Sequence, residues 1–311
     1  MIEVSRQYDR NRVPQSKLDE QIRNETVGLI RLQEKLGCQP LSDGALGWKD
    51  QLRPIKQCIG GLAETTRYSR WYDTNTFYQK PIVTGRLALR NFEPNYFFQS
   101  DLLSNKKDWS VAIPGPWTLS ELSENKHYST AEELLLDYAR VLRAIVDKLV
   151  DSGVSHVQLS EPSLVYWPYR EGPPSKEELE NALDAIRLVV EKSRAIFTVH
   201  TFFGDANPIL PTLLELPVDA VGVDLYETRW DELPKKVETR LVLGIVDSEE
   251  SLVEDSNWVV KTTLAINKRT SNKNVALAPN TDLKFVPRQT ADLKLESLAT
   301  ASSALSKQGA L

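Results

Sequence analysis

Phe197-Thr198-Val199-His200-Thr201-Phe202-Phe203-Gly204 is a largely apolar run that ends in a histidine and then a glycine turn. Without strict polar alternation, such a run reads as a strand buried on both faces, and it delivers His200 to its carboxyl end. Other short runs share this form: Gln39 to Ser42, Ser110 to Pro114, His156 to Ser160, Ala220 to Leu225, Leu241 to Val246 and Val275 to Ala278. Most intervals between them hold amphipathic helical patterns. The clearest are Ala131 to Asp151, opened by Ser129 and Thr130, and Ser175 to Arg194, where Ser175-Lys176-Glu177-Glu178 makes a capping box. Ahead of all these, Lys17 to Leu36 sets Leu18, Ile22, Leu29, Leu32 and Leu36 along one side, with Gly37 as the helix terminator.

Continuous apolar strands alternating with helices form a parallel sheet covered by helices. A strand count near eight favours a TIM (β/α)8-type barrel over an open sheet. No Gly-x-Gly-x-x-Gly or phosphate-loop motif follows any strand, which also counts against an open nucleotide-binding sheet. The expected organisation is one barrel domain over 1–311. Its aromatic, polar segment at about 53–90 breaks the alternation and reads as an insertion over the barrel mouth.

Composition narrows the class. The 311 residues are 41% hydrophobic and 26% charged, as expected for a globular protein with a substantial core. A net charge of −5 gives no electrostatic footprint for nucleic acid. No run approaches the ~18 apolar residues of a membrane span. The first residues lack a basic region followed by an apolar one, so no signal peptide is expected and a cytoplasmic location is. Cys38 and Cys58 are then expected as free, buried thiols.

In a barrel the working face lies at the carboxyl ends of the strands. Those ends carry Asp43-Gly44, Gly115-Pro116-Trp117-Thr118, Glu161-Pro162, His200, Asp224, Asp247 and Pro279-Asn280-Thr281-Asp282. Several acids, one histidine and an aromatic therefore converge on one mouth. Any single aspartate is also explained as a helix cap. Trp48, Trp71, Tyr72, Asn75, Phe77 and Tyr78 read equally as a lid packed on that mouth or as the wall of a flat pocket for a planar ring. Lys49, Arg53, Arg70 and Lys80 stand near enough in sequence to pair carboxylates.

These residues support a family resemblance. Val157-Gln158-Leu159-Ser160-Glu161-Pro162-Ser163-Leu164 resembles the "Q-x-D-E-P-A-L" strand end of the cobalamin-independent methionine synthases. Pro114-Gly115-Pro116-Trp117-Thr118 resembles their "G-P-x-T" turn, Gly244-Ile245-Val246-Asp247 with Glu250-Ser251 their "G-x-x-D…E-S" region, and Pro279 to Lys284 their "P-D-C-G-L-K". That family has two related barrels. Ser42 to Asp50 resembles "G-D-F-x-W-Y-D", Trp71 to Tyr78 resembles "W-F-x-T-N-Y-H-Y", and Val223-Asp224-Leu225 resembles "H-V-D-L", all segments of the N-terminal, zinc-free barrel.

The resemblance implies a role in methionine synthesis, the methyl donor being a methyl-folate or related compound. Carried over, the catalytic half's two zinc-ligating cysteines fall on Phe202 and Thr281, its glutamate after "H-G" on Ala45, and the acid of "D-E-P" on Ser160. His200 and Asp224 alone survive, so neither zinc nor another bound cofactor is expected. Glu161, Asp224 and His200 are the candidate catalytic residues. Asp43, Trp48, Trp71, Asn75, Tyr78, Trp117 and Asp247 are the candidate substrate-binding residues.

Family barrels begin with a strand upstream of the first long helix. Too few residues precede Lys17 to hold it in its usual place, so the first strand is expected to be shortened to Met1 to Ser5 or missing, leaving an edge for a partner. That partner is expected to be a separately encoded zinc-bearing barrel or a second copy of this chain. Two other readings stay open: a stand-alone methyltransferase or related enzyme on a different substrate, and a non-catalytic interaction subunit.

Overall fold

A computed structural model describes residues 2–103 and 108–311. The chain opens with helices α1 (Ile2–Asp9) and α2 (Gln15–Leu36). Gly37 ends α2 in the left-handed conformation, φ 71°, its amide reaching back to the Glu34 carbonyl at 3.2 Å. The segment after it supplies α3 (Arg53–Cys58), β1 (Ile59–Leu62), β2 (Tyr68–Arg70), β3 (Phe77–Gln79), β4 (Ile82–Leu89) and α4 (Ser100–Leu103). From β5 onward strands and helices alternate: β5 (Ser110–Pro114), α5 (Pro116–Glu121), β6 (Glu124–Asn125), α6 (Ala131–Asp151), β7 (His156–Ser160), α7 (Lys176–Val190), β8 (Ile196–Thr201), α8 (Leu210–Leu213), β9 (Ala220–Asp224), β10 (Arg240–Val246), α9 (Ser256–Thr270), β11 (Val275–Pro279) and α10 (Arg288–Lys307).

The fold is an α/β barrel of TIM type. Strands β5, β7, β8, β9, β10 and β11 pair in parallel in chain order. Leu41, inside the expected strand Gln39 to Ser42, extends this sheet by one position through a parallel bridge to Trp109. Its amide donates to Asp108 at 2.8 Å, and its carbonyl accepts from the Ser110 amide at 2.7 Å.

The sheet is not closed. Among the described residues no strand stands on the free side of β11, and residues 2–5 lie in α1, held in part by a Gln7–Glu3 side-chain hydrogen bond one turn apart, 3.0 Å. The shortened strand expected there is therefore a helix; Met1 lies outside the described residues.

Alternate strand positions divide the sheet. Val111, Ile113, Val157, Leu159, Phe197, Val199, Val221, Val223, Leu241 and Leu243 are buried in the hydrophobic core with the inward faces of α6 and α7. The opposite, concave face carries Gln158, Ser160, Thr198, Val242, Ala276 and Ala278, all half-buried. Solvent reaches positions that a closed barrel would fill with packed side chains.

Both long helices after β5 begin as their sequence signals require. The Thr130 side chain accepts from the Glu133 amide, and Ser175 with Glu178 completes both bonds of a capping box. Helix α7 stops at Val190 rather than Arg194, because Glu191 turns extended and Lys192 takes φ 56° on the way into β8. The insertion carries regular structure of its own. β1 and β4 form an antiparallel pair joined by β6, and β2 with β3 forms a separate hairpin. Cys38 and Cys58 are both free; Cys58 is buried as expected, whereas Cys38 is half-buried.

Candidate functional site

Strand β7 stops at Ser160, and Glu161 leaves it with its amide donating to the His200 carbonyl at 2.8 Å. The Glu161 side chain is fully buried. Its Oε1 accepts from the Trp117 amide at 3.0 Å and its Oε2 from the Thr118 amide at 2.8 Å. It thus satisfies the open first turn of α5 from the neighbouring strand. Gly115 makes room for this: a Cβ there would lie 2.2 Å from Glu161 Oε1. Burial pushes the Glu161 carboxyl up to about 7, against the pull of the hydrogen bonds from Thr118 and Trp117.

His200 is also buried, its ring lying over Gly222, where a Cβ would stand 2.6 Å from Cδ2. Phe202 meets it edge-on with ring centres 5.6 Å apart. Burial lowers the imidazole to about 4, with the Asp282 carboxylate opposing, so the ring is neutral through the physiological range. Its Nε2 has no hydrogen-bond partner among the described residues.

Asp224 ends β9 and ties three loops. One oxygen accepts from the Tyr226 amide at 3.0 Å; the other accepts from the Phe203 amide at 3.2 Å and from Asn280 Nδ2 at 3.3 Å. Burial raises it to about 6 despite these donors. The fold therefore brings Glu161, His200 and Asp224 to adjacent strand ends, but no hydrogen bond joins their side chains. Every oxygen of both carboxylates already accepts from a protein donor.

The other strand-end acids behave similarly. Asp43 is buried and accepts from the amides of Ala45 at 2.9 Å and Gln99 at 3.0 Å. Asp247 accepts from the Glu249 amide at 2.9 Å, while its own amide donates to Glu254 at 2.8 Å. None caps a following helix; each braces a loop. Glu249 is pushed up first by burial and then by the carboxylates of Asp247, Asp224, Glu227 and Asp73, which marks an acidic rim around this end.

Trp71, Tyr72 and Tyr78 are buried together, with Trp71 edge-on to Tyr72 at 5.0 Å and to Tyr78 at 6.1 Å. Tyr72 spans to the barrel. Its hydroxyl meets Ser163 Oγ at 2.6 Å and its ring packs on Phe203 at 5.4 Å and on Tyr166 and Tyr169 at 6.0 Å. Trp117, also buried, donates to the Ser163 carbonyl at 3.1 Å, with the Arg170 guanidinium 5.6 Å over its ring. The insertion thus covers the loops after β7 and β8. Asn75 is exposed at its tip, and half-buried Trp48 stands apart, donating to the Phe97 carbonyl at 3.1 Å.

Sequence reasoning placed Asn280 at a strand end without giving it a role, and assigned no role to Ser248, Ser163, Phe203 or Lys284. Asn280 is buried and accepts from the Ser248 amide at 2.9 Å and the Ser248 hydroxyl at 2.7 Å, joining the ends of β10 and β11. The signal was its place between Pro279 and Thr281. The residues at the two thiolate positions do not fit zinc: Phe202 is a buried ring and Thr281 a hydroxyl. Among the described residues no group of three or more His, Cys, Asp or Glu side chains is placed to hold a metal ion.

Residues 61–271 match the family described as cobalamin-independent synthase, N-terminal domain. The chain is 25% identical over 299 residues to a methionine synthase of Sulfolobus acidocaldarius, covering 94% of this chain and 84% of that one. A methionine synthase of Saccharolobus solfataricus is 24% identical over 303 residues, covering 95% and 88%. Among solved structures, the B12-independent methionine synthase of Shewanella sp. W3-18-1, in complex with selenomethionine, superposes with a TM-score of 0.78 at 16% identity, covering 96% of this chain and 91% of that one. That likeness is one of fold.

Proposed function

The chain belongs to the family of the cobalamin-independent synthase N-terminal domain, and from that premise we propose that it is a methionine-synthesis component that assists a separately encoded zinc-bearing barrel. In this reading the chain is one barrel unit over 1–311, with the segment at about 53–90 as its lid. It binds a methyl donor of methyl-folate or related type, and the partner barrel activates homocysteine. Zinc lowers the pKa of a bound thiol and so makes a nucleophile near neutral pH; this chain's residues do not supply that step.

One observation carries the proposal. The positions where the family's catalytic half places thiolates hold Phe202 and Thr281, while Tyr72, Trp117 and Asp224 still tie together the loops at the strand ends. The open side of β11 supports a partner, since backbone donors and acceptors at a sheet edge favour pairing; a second copy of this chain is the other candidate for that place. A stand-alone enzyme using Glu161 as general acid or base is less well supported. Its carboxyl has a suitable pKa, about 7, but it is fully buried and both oxygens are bonded. Among the described residues no helix is long and apolar enough to cross a membrane; a cytoplasmic location is part of the proposed reading.

The purified chain is expected to carry well under about 0.1 zinc per chain after dialysis against micromolar zinc, because one imidazole is not a zinc site. Elemental analysis checks this. A stoichiometric metal content would require ligands other than those at the two substituted positions.

A further inference from the structure

Four aromatic rings form a chain of three contacts at the mouth. Trp71 meets Tyr72 at 5.0 Å, Tyr72 meets Phe203 at 5.4 Å, and Phe203 meets Phe285 at 6.5 Å. The ammonium of Lys284 stands between the two ends of this chain, 5.8 Å from the Trp71 ring centre and 5.1 Å from that of Phe285. Among the described residues its one ion pair is with Asp282 at 3.1 Å, and both side chains are substantially exposed, 34% and 51%. An exposed pair of this kind holds its partners weakly, so Lys284 can leave without breaking the core. Trp71 itself is only 3% exposed, packed against Tyr72 and Tyr78 as well as beneath the lysine ammonium.

Two features show a built site rather than incidental packing. Tyr72 and Phe203 both hold positive φ, 49° and 71°. That conformation is costly for bulky residues and persists only where the surroundings enforce it. A carboxylate also stands at the site, Asp282, paired to the lysine.

We propose that Trp71 and Phe285 form the walls of a cation-binding cage for a methylated onium group, a sulfonium or quaternary ammonium centre, and that Lys284 occupies this cage when no ligand is present. A primary ammonium is strongly hydrated and keeps a hydrogen bond to Asp282. A methylated onium centre has no N–H to satisfy and spreads its charge over its methyl groups, so an aromatic wall suits it better. The inference goes beyond the reading above: methyl-folate carries its methyl group on a neutral amine nitrogen, so an onium centre is a second ligand class. Binding by the cage does not depend on that reading.

The test uses the whole chain and titrates tetramethylammonium and trimethylsulfonium against ligand methyl line broadening, with tert-butanol as the neutral control of similar shape. Both cations are expected to bind at millimolar concentration, and tert-butanol not to bind. Lys284→Ala is expected to tighten both cations about five-fold by vacating the cage, and Phe285→Leu to weaken them about ten-fold. Phe285 is half-buried, so this variant keeps the test valid if Trp71→Leu fails to fold. Equal binding of tert-butanol, no tightening by Lys284→Ala, or no cation binding by either protein would overturn the cage. The proposed function fails separately, in a methyl-transfer assay that does not respond to this chain even though the cage binds cations.

Discussion

Replacing Lys294 with alanine is expected to cost about 3–5 kcal/mol of folding stability, read as a lower midpoint of urea unfolding. Lys294 is fully buried in α10, and its ammonium meets both oxygens of Glu254, 3.1 and 3.0 Å, together with the Leu252 carbonyl. Glu254 in turn accepts from the Asp247 amide at 2.8 Å and the Tyr226 hydroxyl at 3.0 Å. Removing the lysine leaves a nearly buried carboxylate without its cation, which costs more than the pair itself contributes. The double variant Lys294→Met with Glu254→Gln is therefore expected to recover part of the loss. A Lys294→Ala variant within about 1 kcal/mol of the parent would show that the pair is not buried in solution.

The second large effect is a pH dependence carried by Glu161. Its folded pKa of about 7 lies above the ordinary carboxylate value of 4.5. For an acid raised in this way, the stabilising contribution is complete below the unfolded pKa and disappears as pH rises through the folded one. The difference amounts to roughly 3 kcal/mol at full ionisation. Asp224 follows the same direction through about 6, so the informative quantity is the difference between the parent and Glu161→Gln. Glutamine does not titrate, and its amide facing one of the α5 N–H groups costs a constant ~1–3 kcal/mol. The stability of Glu161→Gln relative to the parent is thus expected to rise between pH 4.5 and about 7 and then level off. Parallel curves across that range would place the carboxylate in water.

Much of the barrel was legible because its strands are short apolar runs with clear ends. Ser110 to Pro114 and His156 to Ser160 match β5 and β7 residue for residue, and Ala131 to Asp151 matches α6. Periodicity reads well where one face meets a core. The insertion was less legible. In β4 only Val83 and Leu87 are buried, so the strand gives no long apolar signal, and β2 and β3 are three residues each.

The site was legible in its positions but not in its bonding. Glu161, Asp224 and His200 do come to adjacent strand ends. That the two carboxylates are consumed by amides of Trp117, Thr118, Tyr226 and Phe203 depends on where distant loops return, which no local pattern encodes. The cage around Lys284 was hidden for the same reason. Its walls, Trp71 and Phe285, are more than two hundred residues apart in the chain.

The most direct test of the functional account is a homocysteine methylation assay with three samples: this chain, a zinc-bearing methionine synthase barrel from the same source, and the two mixed. The account predicts negligible turnover by this chain, since Phe202 and Thr281 offer zinc no thiolate. It also predicts a faster rate or tighter methyl-donor binding in the mixture than in the zinc barrel alone. Full turnover by this chain by itself, or a mixture no different from the zinc barrel and showing no physical association, would contradict it.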